Sequence, residues 1–254
     1  MSPYAEIRNG STPVVLLVHG AFTDASSWRE VIAELRRAGV EAVAVANPLR
    51  GLDADAAYIA CLAEEIDGPV MLVGHCYGGA VITLAGASSR NVLGLLYVAG
   101  YALDEGESLL DLTTRFQDMM LTSSLRPAVV RLGNGPPSIE LYIDRDAFPS
   151  VFAADLPAAV SAVAARSQRP ITASAFEAKA SAAAWKTLQS WYIVATADRV
   201  IAPEAQRFMA ARANAMTIEI GASHAVAISQ PAVVADQIRA AALALRHTFP
   251  DLAI

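Results

Sequence analysis

The sequence predicts an α/β fold: a mostly parallel central sheet with helices on both faces, and a helical cap inserted after the fourth clear strand. Three observations point there. Short β-branched apolar runs alternate with longer amphipathic ones, as in parallel strands covered on both faces. The alternation occupies residues 13–100 and returns over 190–246. Between the two blocks, over residues 101–185, no strand run is visible.

The elements follow in order. Residues 14–19 (VVLLVH) form the first clear strand. Residues 27–38 read as a helix, with Trp28, Val31, Ile32 and Leu35 on one face and Gly39 as its stop. Residues 40–46 form a second strand. Asp53 or Asp55 is expected to cap a helix running to residue 66, which Gly68 and Pro69 break. Residues 70–75 form a third strand, followed at once by a helix over 77–88, and residues 92–99 a fourth. Helical pieces are expected at 109–120 and 156–165, separated by the turn-rich stretches LGNGPPS and FPSVFAADLP. Alternation resumes with a strand at 191–196, a helix opened by Pro203, a strand at 216–220 and a last helix over 231–245. The reading is one domain, 1–254, with its core in 1–100 and 186–254. Residues 101–185 form the cap, since a structureless loop of that length is improbable.

Composition narrows the function classes. With 54% apolar residues in 254, the chain can build a sizeable core, and disorder is excluded. A net charge of −6 and scattered Lys and Arg leave no basic footprint for nucleic acid. The two cysteines, Cys61 and Cys76, make no disulfide framework and fit a reducing, cytoplasmic compartment. The opening MSPYAEIRNG lacks the pattern of a signal peptide. The apolar runs are strand-sized, so no membrane span is expected. No cofactor or metal is expected: there is no phosphate loop, no GxGxxG after a strand, no HExxH and no Cys/His cluster.

The strongest local signal is Gly74-His75-Cys76-Tyr77-Gly78-Gly79. It joins a buried strand to a helix with no room for an ordinary loop. Glycines on both sides let the backbone fold sharply and push residue 76 out at the strand's C-terminal end. There it meets the N-terminus of the next helix, whose free N–H groups favour a thiolate. The alternative is a glycine-rich turn with an inert buried cysteine.

Together, Val18-His19-Gly20-Ala21-Phe22, the elbow GHCYGG, a strand-end Asp198 and GASHAVAISQP around His224 resemble the α/β-hydrolase superfamily. Within it the chain is similar to small esterases and hydroxynitrile lyases. The resemblance covers both flanks but not the cap. It implies a nucleophile, a base and an acid, here Cys76, His224 and Asp198. Cysteine replaces the usual serine, although dienelactone hydrolase-like members also use cysteine. Three origins fit a cysteine there: a native nucleophile, an engineered replacement for serine, or a drifted remnant.

Of the four histidines, His19 is implied by the resemblance to support the oxyanion loop, His75 should point away from Cys76, and His247 lies in a polar tail. His224 follows the last strand, at the sheet edge where open α/β sheets gather ligands, and is the expected base. Asp198 ends WYIVATAD at the same edge and would fix the histidine tautomer, with Asp104 as the rival acid. The oxyanion donors would be the N–H of Tyr77 and, by resemblance, the N–H of Ala21. Among Phe22, Trp28, Tyr101, Met119, Met120, Phe148, Phe152 and Phe176, an apolar pocket is expected, with Phe22 and Tyr101 singled out. The expected activity is hydrolysis of a small apolar ester, lactone or thioester through an acyl-enzyme. A cofactor-free lyase and a non-catalytic small-molecule receptor are the alternatives, although no lysine lies near Asp198 or His224. A homodimer is the one protein partner considered.

Overall fold

The computed structural model describes residues 12–116, 120–131 and 135–246. Met119 and His247 lie outside the described residues. The central sheet has six strands: β1 (Val14–Val18), β2 (Ala42–Val45), β3 (Val70–Cys76), β4 (Val92–Gly100), β8 (Gln189–Ala195) and β9 (Met216–Ile220), in the order β2-β1-β3-β4-β8-β9. Every pairing in it is parallel. Parallel pairs need helical crossovers, here α1 (Arg29–Arg37), α2 (Leu52–Glu64), α3 (Tyr77–Ser88) and α9 (Pro203–Arg212). α10 (Val226–Ser229) and α11 (Pro231–Leu245) follow the last strand.

The side-chain period of two sorts each strand into two cores. Val14, Leu16 and Val18 face one cluster with α2, α3 and α9, while Val15 and Leu17 face the other with Trp28, α1 and α11. Burial on both faces is why these strands read as unbroken apolar runs.

Between β4 and β8 lies the inserted segment, and here the sequence reading needs correction. It holds α4 (Leu109–Arg115), α5 (Leu121–Ser124), α6 (Phe148–Val151), α7 (Ala158–Ala164) and α8 (Ala173–Glu177). It also holds a three-stranded sheet of β5 (Leu125–Val130), β6 (Ser138–Ile143) and β7 (Ile171–Thr172), antiparallel in both pairings. β5 and β6 are half exposed and β5 contains Pro127, so neither presents the continuous apolar run of a core strand. The Arg50–Glu140 ion pair and the Thr172 N–H donating to the Leu49 carbonyl at 3.1 Å tie this small sheet to the loop after β2.

A second correction concerns α2. Its N-cap is Gly51, which makes no side-chain cap bond. Asp55 is instead buried one turn in, accepts from the Arg50 N–H at 3.0 Å, and accepts the Tyr77 hydroxyl at 2.8 Å. Burial raises its pKa against those bonds. Among the described residues no helix is long and apolar enough to cross a membrane.

Candidate active site

Strands β3, β8 and β9 carry three chemistry-bearing residues to one edge of the sheet, the edge of their C-terminal ends. Cys76 ends β3 and precedes α3, with φ 53° and ψ −123°, a left-handed backbone that non-glycine residues rarely adopt. Such strain persists only where surrounding contacts impose it. The glycines supply those contacts: a Cβ on Gly78 would lie 2.3 Å from the Val18 carbonyl oxygen. One on Gly20 would lie 2.4 Å from the Cβ of Cys76 and 2.8 Å from the His75 carbonyl oxygen. Gly20→Ala is therefore expected to push the loop after β1 off Cys76, lowering kcat/KM by about 100-fold or more, since a displacement near 1 Å costs that much. Gly51→Ala, where a Cβ meets nothing within 4 Å, is the control. Equal rates in the two variants, on the ester substrates the sequence leads one to expect, would contradict the packing of Gly20 against Cys76.

Asp198 lies just past β8 and is 5% exposed. A buried carboxylate is tolerated when hydrogen-bond donors replace its water. Oδ1 accepts from the N–H of Val200 at 2.7 Å and of Ile201 at 3.0 Å. Oδ2 accepts from Gln206 Nε2 at 2.8 Å and meets His224 Nδ1 at 2.7 Å. A carboxylate only accepts, so Nδ1 carries the proton and Nε2 is left for chemistry. His224 Nε2 is buried and has no hydrogen-bond partner among the described residues. Cys76 is close enough to the ring for its charge to raise the ring's proton affinity.

The electrostatics favour an imidazolium. Burial pushes the His224 pKa down, but Asp198 and Cys76 outweigh it and raise the value to about 10, against an ordinary 6.5. Below pH 6.5 the ring is protonated folded or unfolded, and its stabilising contribution is fully present. Between 6.5 and about 10 only the folded chain holds the proton, so the contribution falls as pH rises and is gone above that window. The melting temperature should therefore decline from pH 7 to 10 more steeply in the wild type than in His224→Gln. Parallel declines would contradict this.

The other expected site residues fall as follows. His19 is buried, which holds its pKa at about 4. Its Nε2 accepts from the Asn47 N–H at 3.0 Å, so Nδ1–H donates to the Gly20 carbonyl at 2.9 Å and braces the loop that carries Ala21. No acceptor among the described residues takes the Ala21 N–H, whereas the Phe22 N–H donates to Arg169 O at 2.8 Å. Tyr77 opens α3, so its N–H precedes any intrahelical acceptor. Phe22 lines a cleft of about 440 Å³ between residues 22–30 and α7. Tyr101 follows β4, and its N–H donates to the Cys76 carbonyl at 3.0 Å. Asp104, the rival acid, is paired with Lys186 at 2.7 Å instead.

Three partners escaped the sequence reading. Gln206 is fully buried, its Oε1 accepting the Ala195 N–H at 3.0 Å so that Nε2 must face Asp198. The signal was a polar residue on the buried α9 face with Ala205, Met209 and Ala210. Asp155, from the inserted segment, grips Ser223 beside the base through both its N–H, at 3.0 Å, and its hydroxyl. His75 sets its ring edge-on to both Trp28 and Phe152 and 4.7 Å from the His224 ring, and its Nε2–H donates to the His224 carbonyl at 2.9 Å. Burial, first of several causes, lowers its pKa to about 3 and keeps it neutral.

The Alpha/beta hydrolase family profile matches residues 15–237. A carbendazim hydrolyzing esterase of Nocardioides sp. (strain SG-4G) is 32% identical over 111 residues, 38% of this chain and 46% of that one, so the match spans less than half of that relative. Among solved structures, a pyrethroid hydrolase from Sphingobium faniae JZ-2 superposes with a TM-score of 0.72 at 19% identity, covering 91% of this chain and 98% of that one. Polyneuridine aldehyde esterase gives 0.75 at 18% identity over 91% and 99%. At such identities the structural matches speak to fold.

Proposed function

The chain belongs to the alpha/beta hydrolase family, and from that premise we propose that it cleaves carboxylic ester-type bonds with Cys76 as nucleophile, His224 as acid and base, and Asp198 as the group that orients His224. The observation that carries this reading is the bond of 2.7 Å between Asp198 and His224 Nδ1, which leaves a buried, unbonded Nε2 beside Cys76. The partial match to a carbendazim hydrolyzing esterase supports the esterase reading.

In the proposed cycle, the Cys76 thiolate adds to the substrate carbonyl. The N–H groups of Ala21 and Tyr77 hold the oxyanion, each worth about 3–4 kcal/mol of transition-state stabilisation. The C–O bond breaks as Nε2–H gives its proton to the leaving alcohol, and an acyl thioester remains. The now neutral His224 takes a proton from water, whose hydroxide displaces the thiolate and releases the acid. Asp198 keeps its bond to Nδ1 throughout and stabilises the imidazolium. The Phe152 ring stands 4.8 Å from the His224 ring, so the substrate is read as a small, largely apolar acyl compound, with Phe22 and Tyr101 as further pocket walls.

The test uses the second, exposed thiol as a control. In a Cys61→Ser background, stoichiometric alkylation by iodoacetamide should abolish release of p-nitrophenolate from p-nitrophenyl butyrate in step with modification of Cys76. Full modification of Cys76 with the rate unchanged would overturn the reading.

A further inference from the structure

Tyr101 holds a polar atom that nothing in the fold uses. Its side chain is 1% exposed, and its hydroxyl, fully buried, has no hydrogen-bond partner among the described residues. Buried hydroxyls without partners are costly and rarely kept without a use. The nearby Thr113 hydroxyl donates to the Leu109 carbonyl at 2.8 Å; its oxygen is the one side-chain acceptor that acts on the phenol, and it makes no bond of proper geometry with it. The other buried tyrosines are satisfied: Tyr77 donates to Asp55, Tyr97 bonds Thr83 at 2.9 Å, and Tyr192 donates to the Gly100 carbonyl. Tyr101 is the exception.

Its position is fixed by backbone. Gly100 pairs with Cys76 across β3 and β4, and the Tyr101 N–H donates to the Cys76 carbonyl. Its phenol is raised well above the ordinary tyrosine range, by burial first and then by the charges of Cys76 and Asp198. It therefore lies among these groups and remains a neutral donor. Leu103, Leu109, Leu112 and Phe152 belong to the same buried apolar cluster, and their side chains offer no acceptor.

We propose that the Tyr101 hydroxyl is a specificity-determining donor to the substrate, selecting acyl groups that carry a second hydrogen-bond acceptor, such as an ether or carbonyl oxygen, close to the scissile carbonyl. This rests on the ester-cleaving reading above, in which the carbonyl oxygen goes to Ala21 and Tyr77 and the leaving oxygen to His224. Tyr101 is then left for one more acceptor.

The experiment compares p-nitrophenyl methoxyacetate with p-nitrophenyl butyrate, near-isosteres in which an ether oxygen replaces a methylene. Their intrinsic reactivities differ, but that difference cancels when the ratio of kcat/KM values is compared between wild type and Tyr101→Phe. The ratio should fall about tenfold in Tyr101→Phe, the size of one neutral hydrogen bond. An equal loss on both esters, or none, overturns the proposal, because a purely structural role would not distinguish them. Thermal melting gives an independent readout: Tyr101→Phe should melt at or above the wild type, and a fall of several degrees would show the hydroxyl bonded within the protein. If wild type cleaves neither ester, it is the ester reading that fails. The hydroxyl is then judged by equilibrium binding of methoxyacetone against 2-pentanone, the same replacement in a ketone. There an unchanged preference in Tyr101→Phe overturns the proposal, and a tenfold weaker preference for the ether supports it.

Discussion

Replacing Cys76 with alanine should lower kcat on p-nitrophenyl esters by roughly 10⁴- to 10⁶-fold. The side chain that would form the acyl bond is gone, while the oxyanion donors and the pocket remain to give a small residual rate. Folding should survive, because Ala fills most of the space at a position only 3% exposed and introduces no polar group. His224→Ala should lose a comparable factor. The double variant should be no worse than the poorer single one, since a nucleophile and its base act as one unit and their losses do not multiply. Steady-state kinetics on the three variants check this. Multiplied losses would mean that the two residues contribute separately.

Asp198→Asn should cost about 10³- to 10⁴-fold in kcat, the second largest effect. The reason is a count of donors. The two carboxylate oxygens face four: the N–H groups of Val200 and Ile201, Gln206 Nε2 and His224 Nδ1. An amide offers one oxygen, so its NH₂ must confront either the two backbone donors or Gln206 and His224. In the second arrangement the imidazole changes tautomer, placing its proton on Nε2 as a neutral ring that cannot accept one from substrate or water. A loss below about tenfold, with unchanged melting, would contradict this role for Asp198.

Much of this was legible in the sequence, for identifiable reasons. Strands β1, β3 and β4 read clearly because both faces of the sheet are covered and, His75 at the end of β3 apart, their positions stay apolar. The boundaries Met216–Ile220 and Pro231–Leu245 were legible because turn residues and Pro231 set them. The elbow was legible because backbone crowding at Gly20, Gly74 and Gly78 leaves no room for a Cβ. The small sheet in the inserted segment was not. β5 and β6 are short and half exposed, and β7 has two residues, so burial wrote no period into them. Gln206, Asp155 and the reach of His75 to the His224 carbonyl were equally hidden. Each acts through partners distant along the chain, which only the fold brings together.

The central claim is that Cys76 carries the acyl group and His224 releases it. The most direct measurement is the intact mass of protein quenched in acid during turnover of p-nitrophenyl butyrate, followed by peptide mapping. The account predicts one butyryl group per chain on the peptide containing Cys76, persisting longer in His224→Ala, if acylation is driven to completion there, than in wild type. Steady release of p-nitrophenolate with no adduct at Cys76, or with the butyryl group on another residue, would contradict it.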